Sequence, residues 1–226
     1  MKSGISIIVI LSLFVSIKGF SQRTLDTNLP VGFTEGSYAV SPSGAATYSI
    51  PIYAAPGTAG MVPNLSINYN SQSGLGPLGI GWSIAGLSSI DRCGKSYFYD
   101  QATTEISNTN SDWFQLDGNR LVLISGTYGT DGAVYAGESE SFDKIVSYST
   151  AGSGPSYFKV YTKDGLVMEY GNTTDSKIEV VGTDGYAPQQ GTVRSWKLNR
   201  ISDQSGNYMT FEYIEEGGAA WISKIS

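Results

Sequence analysis

The chain has 226 residues, 14 of them basic and 20 acidic, with no histidine and a single cysteine. That inventory excludes an intrachain disulfide and a Cys/His zinc site, and a chain with a pI near 4.6 and no basic cluster is a poor partner for nucleic acid or an anionic membrane. The 40% hydrophobic content can support a core, while 28 glycines, 15 tyrosines and only 15% charged residues suit an all-β chain with many turns.

Met1-Lys2 gives a short positive start, and Ile5 to Ile17 is an apolar run broken only by Ser6, Ser12 and Ser16. The run is shorter than the ~20 residues of a membrane span. Gly19-Phe20-Ser21 supplies small residues at the cleavage-recognition positions, which predicts a signal peptide over 1–21 and Gln22 as the new terminus. No cysteine sits there, so the lipoprotein route is closed and stable membrane insertion is not expected. Loss of Lys2 and Lys18 would take the formal net charge from −6 to −8. Residues 22–37 read as a polar leader, and 38–226 as the β region.

Tyr48-Ser49-Ile50-Pro51-Ile52-Tyr53 alternates, and Pro51 predicts an edge strand or a bulge because it cannot donate to a ladder. After a turn at Ala55-Pro56-Gly57, Leu65-Ser66-Ile67-Asn68-Tyr69-Asn70 has the period of a half-buried strand. Gly74 to Trp82 packs glycines around one large aromatic, predicting tight backbone approach and a buried, central Trp82.

This stretch carries a resemblance. IPI, PGTAGMVPNLSINYNSQSG and GPLGIGWSIAGLSSIDR resemble the opening of the SpvB-like family. That family comprises the virulence-plasmid B proteins, the B components of insecticidal Tc toxin complexes and the large Rhs/YD-repeat proteins. The resemblance runs from about Gly36 to the last residue. It implies β-hairpins wrapped into a hollow shell that encloses and delivers a C-terminal toxic domain, and it brings no catalytic residue.

Further along, Tyr97-Phe98-Tyr99 predicts a short strand. Trp113 to Leu116, Asp117-Gly118-Asn119-Arg120 and Leu121 to Ile124 predict a hairpin with an Asp-Gly turn. Lys144 to Tyr148 is another strand, followed by a turn at Gly152-Ser153-Gly154-Pro155. Tyr157 to Tyr161 and Leu166 to Gly171 form a second hairpin about Lys163-Asp164-Gly165. Arg194 to Arg200, Tyr208 to Tyr213 and Trp221 to Ile225 are the closing strands, with turns at Asp203 to Asn207 and Gly217-Gly218. The tail resembles one YD-type unit, without a strict internal period. The last strand has no partner after it, and its Trp221, Ile222 and Ile225 need a cover from sequence beyond Ser226, so the chain reads as the front of a longer polypeptide.

Several motifs approach known chemistry. Gly74-Leu75-Gly76-Pro77-Leu78-Gly79 matches the dinucleotide-binding glycines in letters, but Ile80-Gly81-Trp82 is a poor helix start. Gly81-Trp82-Ser83-Ile84-Ala85 approaches a nucleophile elbow, yet no histidine exists to activate Ser83. Glu138-Ser139-Glu140 resembles the paired glutamates of ADP-ribosyltransferases without the strand that should precede them. Asp203, Ser205 and Asn207 offer oxygens to calcium but lack the glutamate of an EF-hand loop. Cys93 reads as a small, partly buried hydrophobe.

The expected site list is therefore empty: no catalytic, cofactor-binding or metal-ligating residue, no cofactor and no enzymatic activity. The leading expectation is a non-catalytic shell segment of a secreted SpvB- or Rhs-like protein. Its partners would be the remainder of its own polypeptide and toxin-complex subunits. The alternative is a secreted β-sandwich binding a glycan or a surface partner through Trp82, Trp113, Trp196 and Trp221.

Overall fold

The fold is described from a computed structural model, over residues 35–180, 191–216 and 218–226. The expected signal peptide (1–21) and nearly all of the expected leader (22–37) lie outside the described residues. The rest is antiparallel β-structure, as the alternation of the sequence requires.

The first strands are β1 (Ser37–Val40), β2 (Ala46–Ile52), β3 (Leu65–Asn70), β4 (Leu75–Gly76), β5 (Gly79–Ile80) and β6 (Trp82–Ala85). They form a four-stranded sheet in the order β1-β2-β3-β6, with β4 and β5 as a small hairpin before β6. Pro51 lies past the end of β1, where β2 pairs only with β3, so the missing donor breaks no ladder on the free side.

Then come β7 (Ser89–Cys93), α1 (Tyr97–Asp100), β8 (Trp113–Leu116), β9 (Asn119–Ser125), β10 (Val134–Gly137), β11 (Lys144–Thr150), β12 (Pro155–Tyr161), β13 (Val167–Tyr170), β14 (Lys177–Glu179), β15 (Val193–Ser202), β16 (Tyr208–Glu216) and β17 (Ala219–Ile225). Strands β7 to β13 follow one another in the ladder, and β15 pairs with both β7 and β13. The circuit β7-β8-β9-β10-β11-β12-β13-β15 therefore closes into an eight-stranded barrel. A barrel of this size is filled by its own side chains. Here Phe114, Phe158 and Trp196 form an edge-to-face triangle, with ring centroids 5.0–5.4 Å apart and interplanar angles of 72–88°.

The Asp-Gly turn is present as expected: Asp117 (φ 48°) and Gly118 (φ 83°) both adopt positive φ, the geometry that matches strand twist in a two-residue hairpin. In β16, Met209, Phe211 and Tyr213 are buried and alternate with polar or exposed residues. They carry the β16–β17 hairpin against the barrel core.

Three expectations are corrected. Tyr97-Phe98-Tyr99 is a single helical turn, not a strand. Its Asp100 carboxylate accepts the Ser96 N–H and both terminal nitrogens of Arg120, at 3.0, 3.2 and 2.7 Å, and this tertiary ion pair outweighs the β-preference of three aromatics. Trp82 is half-buried on the small sheet against Tyr69, 5.1 Å between centroids; the buried central tryptophan is Trp196, 0% exposed. In β17, Ile222 and Ile225 already pack against the core, and only Trp221 faces outward beside Ile214. Strand β10, missed in the sequence, has only four residues and ends in glycine.

Candidate functional site

The residues of the chemistry-like motifs are occupied structurally. Gly74 to Gly79 builds the β4–β5 hairpin, and strand β6 follows, so no helix N-terminus faces the glycines. Ser83 lies on β6 opposite Asn68. Glu138-Ser139-Glu140 is a turn after β10: the Glu138 N–H donates to Arg120 O (2.7 Å), Ser139 exchanges bonds with the Asn119 amide, and Glu140 Oε1 accepts the Phe142 N–H (2.6 Å). The Glu138 carboxylate raises the pKa of the Tyr99 phenol beside it.

Asp203 is consumed by its own loop. Its Oδ1 accepts the Ser205 and Asn207 N–H groups, both at 2.9 Å, and its Oδ2 accepts the Asn207 side-chain amide at 2.7 Å. Those bonds, led by the Asn207 side chain, hold the carboxyl below its ordinary range. Among the described residues no group of three or more His, Cys, Asp or Glu side chains converges as metal ligands. Cys93 is half-buried, and burial pushes its thiol pKa up, away from the reactive thiolate.

The tryptophans do not share a face. Trp196 fills the barrel and donates its indole N–H to Ser156 O (3.2 Å). Trp113 packs edge-on to Tyr128 with Arg120 over its ring, Trp82 sits on the small sheet, and Trp221 lies exposed on β17.

The residue that sequence reasoning missed is Arg92, the last letter of the family-like stretch. It shares the inward parity of Ile90 on β7 and is 2% exposed. Its guanidinium plugs one end of the barrel, over the rings of Phe114 and Trp196 at 5.4 and 5.7 Å. Nε donates to Val193 O (2.8 Å), Nη1 to Thr109 O (2.7 Å) and Asp112 Oδ2 (3.4 Å), and Nη2 to Ser153 O (2.7 Å). Four segments distant in sequence are thus tied by one fork, which a lysine point charge could not do. At Gly154 a Cβ would lie 2.5 Å from Nη2, so any side chain there would have to displace the fork. Burial lowers the Arg92 pKa and Asp112 opposes that shift; an arginine remains charged regardless. The only sequence signal was an arginine on an inward-facing strand position.

The second feature is the margin of the sheet. Strand β17 pairs with β16 on one side and with no other strand among the described residues. Its outer edge presents free backbone donors and acceptors, the usual seat for an added strand.

Known proteins share this architecture. The chain is 24% identical to the mono(ADP-ribosyl)transferase SpvB of Salmonella typhimurium (strain 14028s / SGSC 2262) and to that of Salmonella dublin. Each match covers 89% of this chain, and 36% and 35% of the relative, so the chain spans about a third of the length of these curated relatives. Among solved structures, TcdB2-TccC3 aligns over 87% of this chain and 11% of its own, at TM-score 0.64 and 19% identity. The N-terminal domain of the effector SpvB from Salmonella typhimurium LT2 aligns over 86% and 63%, at TM-score 0.58 and 18% identity. The family model described as Salmonella virulence plasmid 65kDa B protein matches residues 40–224, and the chain belongs to that SpvB family.

Proposed function

We propose that the chain is a non-catalytic N-terminal wall segment of a secreted SpvB- or Rhs-like polypeptide that encloses and delivers a C-terminal effector. The observation that carries this reading is the fold match to about a tenth of the TcdB2-TccC3 chain: nearly all of the described β-structure superposes on a small part of a much larger one. Its partners are the remainder of its own polypeptide and toxin-complex subunits, with neither nucleic acid nor stable membrane insertion.

Chemistry fits a wall. The barrel interior is packed with aromatic rings, and the carboxylates of Asp100, Asp112 and Asp203 are each engaged by structural donors. A glycan-binding β-sandwich needs its tryptophans on one face, and their scatter favours the wall.

The test is limited proteolysis of the natural secreted polypeptide. Resistance of 22–226 together with co-purification of a C-terminal fragment supports the reading. Release of a free domain that binds a glycan array refutes it. Mass spectrometry of the same material should find Gln22 at the N-terminus, and retention of Met1 in a membrane fraction would refute export with cleavage.

A further inference from the structure

From Gly36 through Ile90 the sequence contains no charged residue, although the chain as a whole is acidic. That stretch makes the four-stranded sheet, and the strand register sorts its side chains. Tyr38 pairs with Tyr48, Tyr48 with Tyr69 and Tyr69 with Trp82, so four aromatics lie in one row across all four strands. Ile50, Ile67 and Ile84 form a second row on the same face, and Ile52 pairs with Leu65 beside it. Directly paired residues share a face, as do residues two apart along a strand. The opposite face is polar: Ser49 and Ser66 both donate to Asn68 Oδ1, at 2.7 and 3.1 Å.

Among the described residues no second layer covers the apolar face: Tyr38 is 87% and Val40 75% exposed on β1, the face's residues on β3 and β6 are only half-buried, and none of the face's residues belongs to the buried core cluster. A sheet with one wholly apolar face is stable only when that face packs against another layer. It runs on at Leu65 into a groove of about 610 Å³ floored by Met61, Pro63, Met209 and Ile225.

We propose that this face is the seat of a second, uncharged β-layer supplied by the same polypeptide. The inference rests on the reading of the chain as part of a longer protein. Two observations select a covalently linked occupant. The four strands contribute 4, 7, 6 and 4 residues, which at ~4.8 Å by ~3.4 Å per residue give a projected footprint of roughly 340 Å², small beside the ~800 Å² of accessible surface each partner buries in a standard interface. A free partner is also steered and oriented by a charged rim, and no element of this sheet carries a charge. A tethered layer needs neither, because its effective concentration is already high.

The experiment uses the complete natural polypeptide with Cys93→Ser as background. Tyr38→Cys on the apolar face and Ile124→Cys on the exposed outside of β9 are labelled with a maleimide under native conditions, with urea-unfolded protein as reference. A covered face should make Tyr38→Cys react at least about tenfold more slowly than Ile124→Cys, at every protein concentration, because reaction then requires local opening. Equal rates overturn the proposal. Protection that appears only as concentration is raised assigns the face to a second copy and likewise overturns it. The mass of the mature product reports separately on the underlying reading: a product ending at Ser226 removes both, whereas a long product with fast labelling removes only the covered face.

Discussion

Arg92→Met keeps an unbranched side chain of similar length at the barrel end and removes the guanidinium fork. Val193 O, Thr109 O and Ser153 O then lose their donors inside the barrel mouth. Asp112 keeps the Ser107 N–H and hydroxyl at 2.9 and 2.7 Å and the Thr109 N–H at 3.2 Å, so it is not stranded alone. Each carbonyl left unpaired costs about 1–3 kcal/mol, while the relieved desolvation of the arginine offsets part of the sum. Breaking a buried pair by removing one partner costs about 3–5 kcal/mol, and we expect a loss in that range. For a chain of this size that is a fall in Tm of roughly 6–20 °C. Arg92→Lys should lose nearly as much, because one ammonium cannot reach three diverging carbonyls. Urea unfolding followed by tryptophan fluorescence measures both, on whichever polypeptide gives a two-state transition. A loss below about 1 kcal/mol for Arg92→Met would refute the claim that this fork holds the barrel end together.

Trp196→Ala should cost about 3–5 kcal/mol or abolish soluble expression, whereas Trp82→Ala in the segment 22–226 alone, where Trp82 is only half-buried, should cost less; denaturation of the two variants side by side checks the order. Alkaline stability should fall as pH rises from about 10, the ordinary tyrosine value. The Tyr148 phenol is pushed up to about 12, chiefly by its hydrogen bond with Tyr161, and burial pushes Tyr128, Tyr170 and Tyr213 up as well. A folded-state pKa above the unfolded one gives stability that is complete below pH ~10 and lost as pH climbs through the folded value; tyrosinate absorbance and circular dichroism should therefore change together. Chelator should leave Tm unchanged, and a drop restored by calcium would show the Asp203 turn to be a metal site.

The sequence by itself determined what is local. Hydroxyl-rich alternation, Asp117-Gly118 and Asp203 to Asn207 specify strands and turns through residues that touch their own neighbours, and the uninterrupted SpvB-like stretch specifies the family. The inward set Met209, Phe211 and Tyr213 was readable because a strand's period is two. What pairs with what was not readable, because some ladder partners, such as Ile90 and Trp196, lie more than ~100 residues apart. Only the tertiary structure closed the barrel through β15, chose Trp196 over Trp82 as its centre, and turned Tyr97 to Asp100 into a helix through the distant Arg120. The same long-range pairing put the Arg92 charge inside, where three backbone carbonyls and Asp112 could hold it, and aligned four aromatics from four strands into one uncovered face.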